Sequence, residues 1–421
     1  MTVREDRLAS GLRVVTEPMP HLESASVGVW VDAGARHERP EQHGVAHLLE
    51  HMAFKGTERR SAQAIAEEIE AVGGQLNAYT GREHTAYYVR TLKDDVPLAL
   101  DILADILQHS SFDEDELARE RDVVIQEIAQ ANDTPDDIVF DRLQEAAYPE
   151  QPIGRSILGT ADLVAGHDSH RLKGYLAGHY AAPRMVLAAA GGIDPDDVLA
   201  RADALFSDLP ALCERPPDTT AWSGGDHRES RDIEQAHIVL GFDGVSYHDD
   251  AFYAMQVLAT VLGGGMSSRL FQEVRERRGL AYSVFSFASS FDDGGLFGVY
   301  AGTAPESLGE LVPVICDEMA KLAEAVEEEE VLRARAQLKA GLLMSMESSI
   351  SRIEQLGRQM HIHGRPLDAA DIIAKVDAVD AAAVRRACQH LMACSAPAVA
   401  AVGPVAGLDS YDKIAARFGT S

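Results

Sequence analysis

Two histidines and a glutamate in the stretch H-L-L-E-H, residues 47–51, have the types and spacing that metal-dependent hydrolysis requires. In a helix, residues four positions apart lie one turn apart on the same face, so His47 and His51 could bind one cation. Glu50 lies beside that face, where its carboxylate could take a proton from a metal-bound water without binding the metal. This inverted H-x-x-E-H pattern predicts a metal site. A hydrogen-bonded cluster of buried polar side chains is the alternative.

A third ligand is expected on a helix further along the chain. Residues 113–133 predict one long helix, with acidic side chains in its first turn that suit the helix dipole. Glu120 and Glu127 lie two turns apart on one face, beside the apolar Val124, where a carboxylate needs a partner. A catalytic zinc takes three protein ligands and keeps one position open. Spacing alone does not choose between the two glutamates, and two acids on a solvated helix face are the alternative.

The elements that carry these residues recur in the second half of the chain. Each half contains the same order of strand, helix, and strand followed by helix: 25–34, 43–54 and 84–107 in the first, 236–245, 251–262 and 296–319 in the second. The pattern predicts an α+β fold of two similar lobes from an internal duplication, each a mostly antiparallel sheet packed with helices. Chance similarity between any two α/β segments is the alternative. The second half has Gln256, Ala259 and Thr260 or their neighbours in place of the first half's histidines and glutamate, which predicts one catalytic and one helper lobe.

The length of 421 residues also favours two domains, because single cores rarely grow beyond about 250–300 residues. A stretch with three prolines and a glycine pair, residues 209–230, reads as an interdomain linker. We therefore predict an N-terminal zinc-binding lobe at 1–212, a linker at 213–230 and a C-terminal helper lobe without the metal pattern at 231–421.

Composition limits the partners and the compartment. The net charge of −29, from 38 basic and 67 acidic residues, argues against nucleic acid or an anionic membrane surface as the main partner. It is compatible with basic or neutral substrates, and simple solubility is the alternative. We expect no targeting sequence, since the N-terminus lacks an apolar region and a small-residue cleavage site and carries acidic residues. We expect no membrane span, since no stretch approaches about 20 apolar residues. Four scattered cysteines without a C-x-x-C pair predict reduced thiols and a cytoplasmic protein: Cys213, Cys316, Cys388 and Cys394.

The pattern at 47–51, with Glu127 76 positions after its last histidine, resembles the pitrilysin or insulinase family of zinc metallopeptidases. That family includes insulysin and the mitochondrial processing peptidase, and the chain is similar to bacterial two-lobe homologues of the processing peptidase β subunit. The resemblance extends along most of the chain. It implies one Zn²⁺ per chain, bound by His47, His51 and Glu127. It also implies that Glu50 is the general base and that Glu120 supports a metal ligand without binding the metal itself.

The same resemblance implies where a peptide would bind in the first lobe. The segment 73–90 is similar to the family's substrate-binding edge strand, so Asn77 and Ala78 become peptide contacts and Glu83 a supporting polar residue. An edge strand offers unpaired backbone groups to which an extended peptide can add. Taken from the residues alone, an ordinary hairpin turning at Gly81 is the alternative.

In the second lobe, the resemblance implies an arginine and a tyrosine, seven positions apart, that hold the substrate backbone near the zinc. Arg275 and Tyr282 match this spacing, although Arg277 and Arg278 leave the choice of arginine open. Residues 263–265 are all glycine and resemble a shortened form of the processing peptidase's glycine-rich loop. Simple loop flexibility is the alternative for them.

Together these features predict a zinc-dependent endopeptidase that cleaves unfolded peptides or precursor segments enclosed between lobes. The resemblance implies a homodimer, with a heterodimer containing an inactive relative as the other possibility. A non-enzymatic assembly or partner subunit of the same fold is the alternative function. Peptide degradation and precursor processing are both compatible with the pattern.

Overall fold

The strands form two sheets in the computed structural model, which describes residues 3–211, 219–394 and 396–419. Residues 213–218 of the predicted linker, with Cys213, lie outside the described residues. In chain order the strands are β1 Arg4–Arg7, β2 Arg13–Pro18, β3 Ser24–Val31, β4 Gln75–Thr80, β5 Thr85–Leu92, β6 Met185–Gly191, β7 Gly225–Ser230, β8 Ala236–Asp243, β9 Ala281–Ser290, β10 Gly295–Thr303 and β11 Ala398–Gly403.

Helices lie in the segments 43–54, 113–133 and 251–262, as the sequence predicts. In chain order the α-helices are α1 Val45–Ala53, α2 Ala62–Ala71, α3 Val96–Gln108, α4 Glu114–Asn132, α5 Pro135–Ala147, α6 Ala161–Ala165, α7 Ser169–His179, α8 Pro195–Leu205, α9 Phe252–Gly263, α10 Leu308–Glu324, α11 Glu328–Ser345, α12 Ser349–His363, α13 Ala369–Asp377, α14 Ala381–Met392 and α15 Tyr411–Ala415. A further short helix of the π type, with more residues per turn than an α-helix, covers Phe271–Arg277.

Both sheets have the same topology. The first runs β1-β2-β6-β3-β5-β4 and the second β7-β11-β8-β10-β9. In each, one parallel pair (β2 with β6, β7 with β11) adjoins a series of antiparallel pairs. Apart from the extra strand β1, the order and direction correspond strand for strand. This correspondence confirms the predicted α+β fold of two similar lobes with mostly antiparallel sheets.

The chain divides into two compact units, and each takes one helix from the opposite half of the sequence. The first unit covers the described residues within Met1–Ala129, Arg155–Asp218 and Leu343–Leu367, and therefore includes α12. The second covers those within Gln130–Gly154, Thr219–Leu342 and Asp368–Ser421, and includes α5. The units are thus discontinuous in sequence, whereas the predicted lobes 1–212 and 231–421 are continuous.

In the first unit, alternation along β3 explains why helices cover both sheet faces. Val27 and Val29 enter the large core formed with α1 and α3, while Trp30 points to the opposite face and packs with apolar residues of α12. At Gly357 of α12, an added Cβ would lie 2.3 Å from Trp30 Cδ2. Glycine is therefore required there, because it lets the helix approach the indole ring.

The second unit repeats this arrangement with α5. Ile238 and Leu240 of β8 join the core that contains α9 and α10. Val239 points to the other face and packs in a smaller core with Val139 and Leu143 of α5. In both units the central strand is therefore buried on both faces.

Candidate metal centre

Helix α1 carries the H-x-x-E-H pattern and is fixed at its start by a buried carboxylate. Glu38, only 3% exposed, accepts hydrogen bonds from the backbone N–H of Gly44 at 2.9 Å and of Ala46 at 2.7 Å. It thereby satisfies donors that the first turn of a helix leaves free. Burial raises the pKa of Glu38 to about 8, with the two backbone donors opposing that rise. On the helix itself, Leu48 and Leu49 are buried in the core.

The three predicted ligands lie together in the first unit. His47 Nε2 is 3.7 Å and His51 Nε2 is 3.5 Å from Glu127 Oε2. One potential ligand atom of each residue lies within 4.8 Å of the others, and the two imidazole rings are 4.7 Å apart in an edge-to-face arrangement. Two atoms bound at about 2.0–2.1 Å to a tetrahedral zinc lie about 3.4 Å apart. The carboxylate-to-imidazole distances therefore fit a bridging zinc ion.

The charge state of His47 also fits a metal ligand. Burial, and secondarily the neighbouring His51, lowers the pKa of His47 to about 4. The ring is therefore neutral at pH 7 and keeps a lone pair for a cation. Its Nδ1 is buried without a hydrogen-bond partner among the described residues. Two imidazoles and one carboxylate form a donor set typical of catalytic zinc.

The two glutamates of α4 have different surroundings, which spacing could not reveal. Glu127 has a side chain 39% exposed and faces the Nε2 atoms of both histidines. Glu120 is buried, and its Oε2 lies 3.0 Å from His51 Nδ1. With Nδ1–H donating to Glu120, His51 directs the lone pair of Nε2 toward Glu127. Lys55 Nζ lies 2.7 Å from the other oxygen of Glu120.

Glu50 is held by the edge strand. The hydroxyl of Thr80 on β4 donates to Glu50 Oε2 at 2.6 Å. Burial raises the pKa of the Glu50 carboxyl, while the Thr80 hydrogen bond and the nearby His51 oppose that rise. The carboxylate is thus oriented beside the three candidate ligands, in an environment that favours proton uptake more than water does.

The predicted peptide contacts lie on and next to the outermost strand. β4 pairs with β5 on one side and ends the sheet on the other. The backbone N–H of Ala78 donates to the side chain of Asn77 at 2.8 Å. Glu83, in the turn after β4, forms a 2.7 Å ion pair with the buried Arg36. Asn77 and Ala78 therefore belong to the open edge, and Glu83 anchors the turn.

Arg275 and Tyr282 lie in the second unit and contact each other. The Arg275 guanidinium lies 4.6 Å from the centre of the Tyr282 ring and 4.7 Å from that of Phe271. Tyr282, at the start of β9, is 77% exposed.

The neighbouring arginines have different partners. Arg277 and Arg278 both pair with Glu273, and Arg278 also pairs with Glu310. Only Arg275 stacks on Tyr282 among these three, which favours it as the arginine of the pair.

The glycines at 263–265 have different structural roles. Gly263 ends α9, and an added Cβ would lie 2.4 Å from the backbone nitrogen of Ser286 on β9. For Gly265 the nearest atom would be a flexible side chain at 3.6 Å. Close packing of helix on strand, rather than flexibility, accounts for Gly263.

Sequence reasoning missed three residues that contact this centre or its helix: Glu38, Lys55 and Thr80. Lys55 lies four positions after His51, just past the end of α1 at Ala53, so its nearness to the metal pattern in the sequence is the only local signal for it. Thr80 lies in the segment identified as the edge strand, but a strand contact with a helix residue 30 positions earlier leaves no sequence pattern.

Among the described residues, every helix is too short or too polar to cross a membrane.

Comparisons with known proteins identify a peptidase family. The model for insulinase, peptidase family M16, matches residues 13–161, and that for the peptidase M16 inactive domain matches 168–338. An uncharacterized zinc protease of Rickettsia bellii (strain RML369-C) is 38% identical over 94% of this chain and 97% of its own length. A probable mitochondrial-processing peptidase subunit beta of Arabidopsis thaliana is 40% identical over 98% of this chain and 81% of its own.

A solved structure supports the fold. The crystal structure of a protease from Helicobacter pylori covers 96% of this chain and 99% of its own, with a TM-score of 0.90 at 21% identity. From the family models and the sequence relatives, the chain belongs to the insulinase family of peptidases, family M16.

Proposed function

We propose that this chain is a zinc-dependent endopeptidase that cleaves unfolded peptides or precursor segments. The observation that carries the proposal is the convergence of His47, His51 and Glu127, with the oriented carboxylate of Glu50 beside them. The matching region of the insulinase family model contains all four residues, and relatives over most of the chain are named zinc proteases.

In the proposed reaction, Glu50 carries the proton. Zinc held by His47, His51 and Glu127 would supply Lewis acidity, which lowers the pKa of a bound water from about 15.7 toward about 7. Glu50 accepts the proton of the attacking water as the new C–O bond forms at the peptide carbonyl. It then gives that proton to the amine nitrogen as the C–N bond breaks. Thr80 keeps the carboxylate in one orientation during both transfers.

The edge strand supports the proposed mode of peptide binding. An extended peptide would add to β4, with its backbone carbonyl replacing the Asn77 side chain as the acceptor for the Ala78 N–H. Arg275 and Tyr282 would hold the substrate backbone and stabilise the charge that develops on the carbonyl oxygen. Their mutual stacking supports treating them as one functional pair.

The decisive experiment replaces Glu50 by Gln in the full chain. Because the amide keeps the shape but cannot accept the proton, cleavage of an unstructured peptide is expected to fall by about 10²- to 10⁴-fold. Zinc content, measured by elemental analysis, is expected to stay at one ion per chain. Retained cleavage in this variant, or cleavage by the parent protein that a chelator does not abolish, contradicts the proposal.

A basic peptide is the favoured substrate, because the chain carries a net charge of −29. Cleavage rates for a lysine-rich and a glutamate-rich peptide of equal length, compared at low and moderate salt, test this preference. Equal rates at low salt exclude charge selection.

A homodimer in the cytoplasm completes the proposal. The Arabidopsis thaliana relative is named as a subunit of a peptidase, which supports assembly. A partner subunit without activity is the alternative. Sedimentation at micromolar concentration distinguishes monomer from dimer. Zinc content together with the chelator-sensitive assay distinguishes an enzyme from an inactive subunit.

A further inference from the structure

A continuous series of contacts extends the metal centre one residue beyond Glu120. Lys55 Nζ lies 2.7 Å from Glu120 Oε1, and Glu120 Oε2 lies 3.0 Å from His51 Nδ1. We infer that Lys55 is a positioning residue for the metal centre, which keeps Glu120 away from the metal and thereby leaves Glu127 as the carboxylate ligand. The inference rests on the proposed zinc function.

The burial of the two glutamates shows why such a residue is needed. The Glu120 side chain is only 7% exposed, whereas that of Glu127 is 39% exposed. A buried carboxylate oxygen without a partner is costly. With Lys55 on one oxygen and His51 on the other, Glu120 has both oxygens engaged and its plane fixed.

Without Lys55, the oxygen it holds would lose its cation partner inside the protein. A metal ion bound between the two Nε2 atoms would then be the nearest alternative cation for the freed carboxylate. Because Glu120 and Glu127 lie on the same face of α4, rotation of the Glu120 side chain could bring it into competition for the open coordination position.

Lys55 is itself held in place, which limits the entropy lost in this contact. It lies two residues after the end of α1, and its backbone N–H donates to Met52 O at 3.2 Å. Two positions later, the Thr57 hydroxyl donates to the buried Asp105 of α3 at 2.8 Å. Arg60 bonds the same carboxylate at 2.7 Å. The segment that carries Lys55 is therefore anchored to the core.

The test compares Lys55→Met with the parent protein, using Zn²⁺ and Co²⁺ as probes. When Glu120 turns toward the metal it leaves His51 Nδ1, and loss of the partner that orients a metal ligand typically weakens metal binding by about 10- to 100-fold. We expect a loss of this size for Zn²⁺ in competition with a chromophoric chelator. We also expect a changed visible spectrum of the Co²⁺ protein, because the carboxylate environment of the metal changes.

A matched control separates this effect from loss of a salt bridge in general. Lys93 forms a 2.8 Å pair with Glu23 on the surface of the same unit. Lys93→Met is expected to leave both the zinc affinity and the Co²⁺ spectrum unchanged. Lys55→Arg, which keeps the charge, is expected to restore most of the affinity.

A double-mutant cycle keeps the inference testable if Lys55→Met folds poorly. In Glu120→Gln the side chain can still accept from His51 Nδ1 but needs no counter-charge, so adding Lys55→Met should cost little more. An unchanged affinity and spectrum in Lys55→Met, or a full further loss in the Glu120→Gln background, overturns the inference. If the parent protein itself binds neither metal ion, the proposed function fails instead.

Discussion

Helices α1 and α9 follow equivalent strands in the two units, yet their polar residues serve different purposes. In α1 the polar side chains point toward other side chains: His51 to Glu120, and Glu50 to Thr80. In α9 they bond to backbone oxygens, Gln256 to Ala288 and Thr260 to Gln256.

The side chains around each helix explain the difference. The α9 helix is buried almost all around and ends against β9 at Gly263. Beside α1, by contrast, α4 brings carboxylates to the polar face of the helix. The helix after the central strand can therefore either be packed against the neighbouring backbone, as α9 is, or present polar side chains for chemistry, as α1 does. A few side chains decide between these two outcomes.

The largest expected effect is loss of the metal from α1 with no counterpart in α9. His51→Ala removes a proposed ligand. The zinc affinity of this variant should therefore fall by more than about 100-fold, the upper loss expected for residues that only support a ligand. Thr260→Ala in α9 removes only a local hydrogen bond and should keep zinc. Elemental analysis after dialysis measures both. Zinc retained at full stoichiometry by His51→Ala would contradict the assignment of metal binding to α1.

Close packing of α9 predicts the next largest effect. Gly263→Ala forces a methyl group against the backbone of β9, which should lower the free energy of unfolding by about 1–3 kcal/mol. Gly265→Ala, whose nearest neighbour is a flexible side chain, is the matched control and should change it little. Urea unfolding followed by circular dichroism measures both variants. Equal stabilities would show that the helix end is not constrained by β9.

Thr80 offers a smaller and purely functional effect. Thr80→Val keeps the shape but removes the hydrogen bond to Glu50, so kcat should fall about tenfold, which corresponds to about 1.4 kcal/mol. Zinc content should not change. Thr91→Val on β5 is the control, because Thr91 Oγ1 is buried without a partner among the described residues. A similar fall in both variants would assign the effect to the sheet rather than to Glu50.

The smallest effect distinguishes α12 from α5, the two helices that each pack on the sheet formed by the other half of the chain. Burial, together with the nearby charge of Arg13, lowers the pKa of His361 on α12 to about 4 from an ordinary 6.5. His84, in the turn before β5, is close enough to interact with His361 electrostatically. The unfolded chain therefore binds more protons below pH 6.5, and stability is lost as pH falls from about 6.5 toward about 4.

For His361 we expect a loss of about 1 kcal/mol by pH 5.5, judged from the pKa difference and reduced for partial exposure. His361→Gln should flatten the pH dependence of the urea midpoint by that amount. α5 contains no histidine, so a variant there, Gln144→Ala, should leave the slope unchanged. Identical slopes for the parent protein and His361→Gln would exclude this origin.

The sequence predicted the fold and the ligand set through patterns that are local or fixed in spacing. Apolar alternation identified β3 and β8, and the four-residue spacing identified His47 and His51. The choice of Glu127 came from family resemblance, and the distances to both Nε2 atoms now support it. Gly263 was ambiguous because its role depends on how closely α9 approaches β9.

Other features could not be predicted because they depend on tertiary placement. An amphipathic pattern shows that α5 and α12 pack against something, but not that each packs on the sheet of the other half of the chain. Glu38 lies six residues before Gly44, outside any capping pattern, and reaches the helix start only through the intervening turn. The contact between Thr80 and Glu50 likewise joins a strand to a helix that lies far from it in the sequence.

The position of α12 has a consequence for biosynthesis. The face of the first sheet that contains Trp30 and Val186 stays bare until Ile353, Leu356 and Met360 have left the ribosome. A nascent chain that has completed every strand of that sheet still presents this apolar surface while more than 140 further residues are translated. Because α12 is translated so late, we expect chaperones to bind this apolar face during that interval. We also expect fragments that stop before residue 349 to aggregate.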